Sequence, residues 1–262
     1  MQQASGELVE IYLENGQTGG RLLCTSSLTP LPGQYLLAHD SASNVPLSVP
    51  IFSAGSVPGG FLVAPPIPPT WRPGVSLSLR GPLGRGFSLP ASACCVALVA
   101  LGEIAARLKP LLAAALGGGA SVVLVSDLDL PDLPPEVEIR PVSALAEVAK
   151  WADYMAIDLY RESLPGLREK LGLGGQTGVE FARPACACPV PPARTCGVGT
   201  GGPGRGDTGA GGPWRAGEAQ ALIVTPMPCG GIAECGVCAV TVRRGWKMAC
   251  KDGPVFDLKE LT

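Results

Sequence analysis

The sequence predicts an α/β plus β protein with three units: an N-terminal antiparallel β-barrel, a central parallel α/β domain and a small cysteine-rich C-terminal domain. Three observations predict this order: six short β-rich runs before residue 90, a strand–helix alternation after it, and four cysteines within residues 229–250. The chain has 262 residues, 46% of them hydrophobic. A chain of this size can bury two modest cores without disulfides.

The barrel is predicted over residues 1–90. Residues typical of turns separate six runs, with no amphipathic helix between them: ELVEIYLE, GRLLCTSS, GQYLLAHD, LSVPIFS, GGFLVA and GVSLSLRG. Short strands at this spacing indicate a small antiparallel barrel.

Strand-like and helix-like runs alternate over residues 91–182. The first three are CVALVAL, EIAARLKPLLAAAL and SVVLVSDL. This alternation indicates a parallel sheet with crossover helices. Pro110 is expected to kink or divide the first helix, because its ring clashes with the preceding turn.

A loop rich in Gly and Pro is predicted over residues 183–220. Gly or Pro fills 16 of the 35 positions from 183 to 217, without any Leu, Ile or Phe, so we expect a loose or disordered segment. The composition also suggests the hypothesis that a local frameshift has replaced the original segment. Cys186, Cys188 and Cys196 lie in this stretch and are interpreted as incidental rather than as a second metal site.

Four cysteines near the C-terminus are the candidate metal ligands: Cys229, Cys235, Cys238 and Cys250, spaced C-x5-C-x2-C-x11-C. Plant-type [2Fe-2S] ferredoxins use C-x4-C-x2-C and a distant fourth cysteine. The spacing therefore favours a [2Fe-2S] cluster whose loop has one extra residue. A zinc site formed by the same cysteines is the alternative, although zinc sites usually present two C-x2-C pairs and this stretch has one.

CGGIAECGVC followed by ACKDGPVF resembles the C-terminal iron–sulfur domain of the dihydroorotate dehydrogenase electron transfer subunit family. In that family the fourth cysteine lies in a Cys-x-Asp-Gly-Pro-Val-Phe signature. Upstream, PGQYLLAH and RGPLGRGF resemble the family's barrel strand and its Gly-Pro-Leu-Gly-x-Gly-Phe loop. The resemblance covers nearly the whole chain except residues 183–217. It implies a ferredoxin-reductase-like fold that ends in a [2Fe-2S] domain over residues 221–262.

The resemblance implies an electron-transfer protein that acts with a catalytic flavoprotein subunit in a hetero-oligomer. In the family, FAD between barrel and α/β domain exchanges a hydride with NAD, and the cluster passes single electrons to FMN in the partner. The partner oxidises dihydroorotate to orotate in pyrimidine synthesis. No side-chain pair in this chain suggests catalysis by the protein itself, so activity is expected only with the partner.

Two alternatives remain open. One is an electron-transfer subunit of another oxidoreductase, such as a sulfide dehydrogenase or a transhydrogenase-like flavoprotein. The other is a non-enzymatic zinc-binding scaffold.

The candidate flavin-binding residues lie on the strand LSVPIFS and the loop GPLGRGF: Ser53, Gly81, Pro82, Gly84 and Arg85. Glycines permit close backbone approach, and Arg85 could meet a phosphate. The family has an Arg before Pro50, whereas this chain has Val49, so FAD binding is expected to be weakened. NAD binding is expected to be weakened as well, because Gly102 is followed by Glu103, whose carboxylate would oppose a phosphate.

Bulk composition limits the partners and the location. A formal charge of −2 and a pI near 5.5 give no broad basic field, so neither nucleic acid nor an anionic membrane surface is expected as a partner. The start, MQQASGELVE, lacks a signal-peptide pattern, and the most apolar stretch, residues 93–101, is too short to span a bilayer. A cytoplasmic protein is expected.

Overall fold

The strands form a closed barrel, a six-stranded sheet and a two-stranded hairpin. The computed structural model describes residues 2–40, 42, 47–130, 132–171 and 219–261. Of the predicted loop of residues 183–220, residues 183–218 with their three cysteines lie outside the described residues, and residues 219–220 belong to a strand rather than to a loop. The predicted fold class, a barrel followed by an α/β unit and a cysteine-rich unit, is confirmed.

Six antiparallel strands close the barrel. They are β1 (Gln2–Glu14), β2 (Gln17–Leu23), β3 (Tyr35–Asp40), β4 (Val49–Val57), β5 (Gly60–Val63) and β6 (Val75–Leu83), in the spatial order β1-β2-β5-β4-β3-β6. Each overlaps one of the six predicted runs. Because strand side chains alternate between faces, residues such as Leu22, Phe61 and Leu79 fill the barrel interior and are fully buried.

The rest of the chain contributes eight strands among the described residues. They are β7 (Cys95–Ala100), β8 (Ser121–Val125), β9 (Glu138–Arg140), β10 (Tyr154–Tyr160), β11 (Ala219–Val224), β12 (Ala239–Val242), β13 (Gly245–Met248) and β14 (Val255–Asp257). The central sheet has the order β14-β11-β10-β7-β8-β9, and all neighbours are parallel except β11 and β14. β12 and β13 form a separate hairpin.

The helices are short: α1 (Lys109–Gly117), α2 (Leu145–Trp151), α3 (Leu164–Lys170) and α4 (Ala249–Asp252). α1 begins at Lys109 with Pro110 in its first turn, where the missing N–H has no helical partner to lose. Pro110 thus divides the predicted helical run, and only a 3-10 turn (Ala106–Leu108) precedes it. In the parts of the chain with described structure, no helix is both long and apolar enough to cross a membrane.

Two strands within the predicted cluster domain of residues 221–262 belong to the central sheet. β11 lies parallel to β10, and β14 lies antiparallel to β11. Residues 225–254 therefore form an excursion between two neighbouring strands, and this excursion holds all four candidate cysteines. β9, β11 and β14 were not expected from the sequence, and the predicted domain boundaries stay a prediction.

One apolar core joins the three units. It contains Tyr35 and Phe52 from the barrel, Leu222 from the sheet, and Cys238 and Cys250 from the excursion, all buried. The candidate metal centre thus lies where the barrel, the sheet and the excursion meet.

Candidate metal centre

The four candidate cysteines lie on neighbouring backbone segments. Cys229 and Cys235 lie in the loop after β11, Cys238 directly precedes β12, and Cys250 lies in α4 after β13. The hairpin pairs Ala239 with Met248, and the Ala249 N–H donates to the Cys238 carbonyl at 3.0 Å. The hairpin therefore returns Cys250 to the loop that carries the other three cysteines.

The thiols form two pairs. The Cys235 thiol donates to the Cys229 sulfur, and the Cys250 thiol donates to the Cys238 sulfur. Among the residues placed by the structure, no group of three or more His, Cys, Asp or Glu side chains stands close enough to hold a metal ion. A two-iron cluster with four cysteines takes two thiolates at each iron, so the two pairs fit such a cluster in number and in pairing.

Backbone donors surround the Cys229 sulfur. Burial acts to raise the pKa of the Cys229 thiol, but hydrogen bonds to its sulfur outweigh burial and lower that pKa to about 6. The donors are the Cys235 side chain and the backbone N–H groups of Ile232, Ala233 and Cys235. N–H groups aimed at a sulfur stabilise its anionic form, which is the form that binds metal.

The second pair is buried in the core. Cys238 and Cys250 are 0% and 3% exposed, and the Cys238 sulfur lies 3.9 Å from the Met248 sulfur. Burial, followed by the neighbouring Cys238 and Cys229 thiols, raises the pKa of the Cys250 thiol to about 12. The Cys250 thiol therefore keeps its proton until a cation replaces it.

The extra residue of the loop is accommodated by left-handed backbone. Gly230, Gly231 and Ala233 have φ angles of 66°, 80° and 65°. Glycine adopts such angles freely, whereas Ala233 does so at a cost of about 1 kcal/mol. The resulting turn directs the loop N–H groups towards Cys229, so the C-x5-C spacing still forms a closed loop.

The barrel contacts this loop through two side chains that the sequence analysis missed. The Tyr35 hydroxyl donates to the Cys250 carbonyl at 2.8 Å, and the Arg80 guanidinium donates to the Gly230 carbonyl. In the sequence both residues occupy ordinary strand positions. Only the packing of the excursion on the barrel brings them close to the cysteines.

The α/β unit contacts the loop from the other side. Arg161, which follows β10, donates through Nη1 to the Val237 carbonyl at 2.8 Å and to the Ala239 carbonyl at 3.1 Å. These two carbonyls flank Cys238. Arg161 was also missed, because nothing in its local sequence distinguishes it from a surface residue.

The structure brings the predicted flavin residues to one end of the barrel, around Tyr35. Tyr35 pairs with Phe52 on β4 and with Leu83 on β6, next to Ser53 and Gly84. Ser53 is buried, and its hydroxyl accepts from the Gly55 N–H at 3.2 Å. Since the Tyr35 hydroxyl also donates to the Cys250 carbonyl, Tyr35 connects the strands that carry the flavin candidates to the cysteines.

The loop GPLGRGF packs against the C-terminal excursion. Gly84 has a φ of 75°, and a Cβ there would lie 2.6 Å from the Pro254 side chain and 2.7 Å from the Gly253 carbonyl. The Arg85 N–H donates to that same carbonyl, while the Arg85 side chain is exposed. Packing against residues 253–254 therefore explains the glycine at 84, and the exposed guanidinium of Arg85 is the part of this loop that could meet an anion.

A buried ion pair closes the junction between the barrel and the α/β unit. The Arg107 Nε lies 2.9 Å from an Asp158 oxygen, and the two side chains are 3% and 0% exposed. The guanidinium also lies over the rings of Phe52 and Tyr160, at 5.9 and 5.8 Å from their centroids. This junction therefore joins β4 of the barrel to the carboxyl end of β10.

Glu103 lies away from the position in which it was expected to oppose a phosphate. Its carboxylate accepts from the Gln17 side chain of the barrel at 2.6 Å.

A cavity of about 420 Å³ lies at the carboxyl ends of β7, β8 and β10, where the strand order of the sheet reverses. Its polar and charged lining residues are Asp127, Glu162, Ser163 and Lys170, and Glu103 does not line it.

The C-terminal residues match a known domain family. Residues 225–262 match the iron-sulfur cluster binding domain of dihydroorotate dehydrogenase B. This segment has the sequence of an iron–sulfur cluster binding domain. The resemblance inferred from CGGIAECGVC and ACKDGPVF is thereby confirmed, and the match favours iron over zinc at the four cysteines. A comparison with curated proteins gives no match.

Solved structures share the fold. An NADH-dependent reduced ferredoxin-NADP oxidoreductase, from a study of flavin-based electron bifurcation, has a TM-score of 0.64 at 16% identity, over 99% of this chain and 90% of its own. The ferredoxin reductase of a carbazole 1,9a-dioxygenase has a TM-score of 0.53 at 16% identity, over 66% of each chain. Ferredoxin-NADP+ reductase from Plasmodium falciparum has a TM-score of 0.51 at 9% identity, over 67% of this chain and 91% of its own.

These likenesses establish a ferredoxin-reductase-like fold. The match to an iron–sulfur domain supports the prediction of an electron-transfer subunit.

Proposed function

We propose that this chain is an electron-transfer subunit that carries electrons between NAD(H) and a partner flavoprotein through FAD and a [2Fe-2S] cluster. The observation that carries the proposal is the arrangement of Cys229 with Cys235 and Cys238 with Cys250 inside a segment that matches an iron–sulfur domain family. When bound, such a cluster transfers one electron at a time, whereas a flavin exchanges either one or two.

The cluster face fits a protein partner. Cys235 is exposed, and around the same loop and hairpin three large apolar side chains are exposed: Ile232 at 56%, Val237 at 42% and Trp246 at 65%. Apolar and aromatic groups around a redox centre favour a protein interface that excludes water. The partner we propose is a catalytic flavoprotein subunit of the dihydroorotate dehydrogenase type, bound over this face in a hetero-oligomer.

The flavin is proposed to bind at the end of the barrel that surrounds Tyr35. Ser53, Gly81, Pro82, Gly84 and Arg85 lie around Tyr35, and the Tyr35 hydroxyl contacts the backbone of Cys250. A flavin at this position would lie beside the buried pair of cysteines. The exposed Arg85 would supply a positive charge to its phosphates in place of the arginine that Val49 replaces.

The cavity at the carboxyl ends of β7, β8 and β10 is proposed to bind the nicotinamide dinucleotide. Ligands of open parallel sheets bind at this type of reversal point. Asp127 lines the cavity just after β8, and its side chain accepts from the Val142 N–H at 2.8 Å. A carboxylate here suits the ribose hydroxyls of NAD and repels the 2′-phosphate of NADP.

Cofactor content tests the proposal. Protein purified without oxygen from an iron-replete host should contain about two irons and two acid-labile sulfides per chain, and dithionite should bleach its visible bands. NADH should reduce the chromophore faster than NADPH does. A colourless protein that contains zinc and no labile sulfide would overturn the cluster, and a protein with a cluster but no flavin would overturn the NAD(H) route.

A second measurement tests the partner. The chain should co-purify with a catalytic dihydroorotate dehydrogenase subunit, and dihydroorotate should then reduce its cluster. Failure of dihydroorotate to reduce the complex would assign the chain to another oxidoreductase.

A further inference from the structure

Two arginines from different units donate to backbone carbonyls of the cysteine loop. Arg80 of β6 donates to the Gly230 carbonyl, next to Cys229. Arg161, after β10, donates to the carbonyls of Val237 and Ala239, on either side of Cys238. Each arginine thus contacts the backbone beside one pair of cysteines.

The charge of Arg80 is not neutralised by a neighbouring carboxylate. Within residues 2–171 and 219–261, apart from the gaps already given, no Asp or Glu forms an ion pair with it. Its Nε is buried and has no hydrogen-bond partner there. A half-buried cation with an unused donor is costly unless an anion lies nearby.

Arg161 differs in charge balance. Its second terminal nitrogen lies 3.3 Å from a carboxylate oxygen of Glu162, a pair with 35% and 69% of the side chains exposed. Solvent screens such a pair, yet the acid still offsets part of the arginine charge. Arg161 donates to two backbone carbonyls, whereas Arg80 donates to one in the part of the chain that the structure describes.

We propose that Arg80 and Arg161 are positioning residues of the cluster, with Arg80 chiefly raising its reduction potential and Arg161 chiefly fixing the loop around Cys238. This inference rests on the proposed function. A cluster with four thiolate ligands is an anion, and reduction adds one more negative charge, which a nearby uncompensated cation favours. Because both arginines bind carbonyls, the loop N–H groups stay directed at the sulfurs.

The test compares Arg80→Gln, Arg80→Lys and Arg161→Gln with a matched control, Arg72→Gln. Arg72 also donates to two backbone carbonyls, those of Pro69 and Trp71, but in a barrel turn before β6. Midpoint potentials are measured by redox titration followed by electron paramagnetic resonance. Arg80→Gln should lower the potential, so that the equilibrium constant for reduction falls several-fold, while Arg80→Lys should retain most of the wild-type value.

Arg161→Gln should shift the potential less, but it should speed cluster loss to a chelator several-fold. In the metal-free protein it should also speed hydrogen exchange over residues 236–240, whereas Arg72→Gln should change none of these quantities. A wild-type potential in Arg80→Gln, or wild-type exchange in Arg161→Gln, would overturn the corresponding role. Absence of any cluster in the wild-type protein would instead count against the proposed function, and the exchange measurement would still test the anchoring role of Arg161.

Discussion

The two pairs of candidate cysteines occupy opposite environments. Cys229 and Cys235 lie in a glycine-rich loop at the surface, and backbone N–H groups stabilise the Cys229 thiolate. Cys238 and Cys250 lie in the common core, where burial stabilises the protonated thiol of Cys250. Cys229 is therefore prepared for metal by local hydrogen bonds, whereas Cys238 and Cys250 are placed by tertiary packing.

This difference gives the site an outer side and an inner side. The outer pair lies among exposed apolar side chains, and the inner pair lies beside Tyr35 and the predicted flavin residues. Cys229 and Cys235 would hold a cluster on the side of a partner protein, and Cys238 and Cys250 would hold it on the side of the core. The difference between the two pairs can be tested at the cysteines themselves, at the barrel residues that pack near the inner pair, and in the outer loop.

The largest effect is expected from Cys238→Ser, with Cys235→Ser as its matched control. Either change should remove or sharply reduce the cluster signal, because each removes a proposed thiolate ligand. In the metal-free protein, only Cys238→Ser should lower stability, by about 1–3 kcal/mol, since it buries a hydroxyl in an apolar core. Denaturant unfolding of both metal-free variants measures this. Equal losses of stability would remove the distinction between the pairs.

The next largest effect is expected from Gly84→Ala, where the loop GPLGRGF packs against Gly253 and Pro254. The added Cβ would meet Pro254 at 2.6 Å in a left-handed backbone, so we expect a loss of about 2–4 kcal/mol. Gly16→Ala is the control, because Gly16 has the same φ of 75° with nothing within 4 Å, and it should cost only about 1 kcal/mol. Thermal unfolding compares the two. Similar shifts would mean that this packing tolerates the extra methyl group.

A smaller effect is expected from Tyr35→Phe, which removes the hydrogen bond to the Cys250 carbonyl. Tyr12→Phe is the control, since the Tyr12 hydroxyl donates to the Val63 carbonyl at 2.9 Å within the barrel. Each change should cost about 1 kcal/mol of stability. Only Tyr35→Phe should also speed cluster loss to a chelator. If both variants retain the cluster equally, the barrel does not hold the inner pair through this bond.

The smallest effect is expected in the outer loop, from Ala233→Gly. Ala233 has a φ of 65°, which glycine adopts without strain, so the change should raise stability by about 0.5–1 kcal/mol. Ala239→Gly in β12 should instead lower it by a similar amount. Chemical denaturation distinguishes the signs. A loss of stability in Ala233→Gly would show that its backbone is not strained.

Much of the fold followed from local patterns. The six barrel strands each overlap a predicted run, and Pro110 divides the predicted helix as expected because its ring and missing N–H act locally. β14 was missed because it has only three residues, and β11 was missed because it begins at the end of the predicted loop. Whether such a run pairs in the central sheet depends on strands that are distant in sequence.

The candidate site was also predictable only where it depends on residues close together in the sequence. The spacing of the cysteines predicted the loop and the returning residue, because a metal cluster imposes its geometry on neighbouring residues of one segment. The direction of Glu103 was not predictable, since it depends on Gln17 in another unit.

By itself, the sequence determined the order of the units and the four thiols, because turn residues, alternation and cysteine spacing act over a few positions. Only the tertiary structure decided which side chains surround those thiols. Tyr35 and Arg80 contact residues that lie 215 and 150 positions away in the sequence, and a local pattern of hydrophobic residues cannot predict such a contact. The inner and outer pairs differ for the same reason, since burial and charge belong to the assembled units rather than to the cysteines.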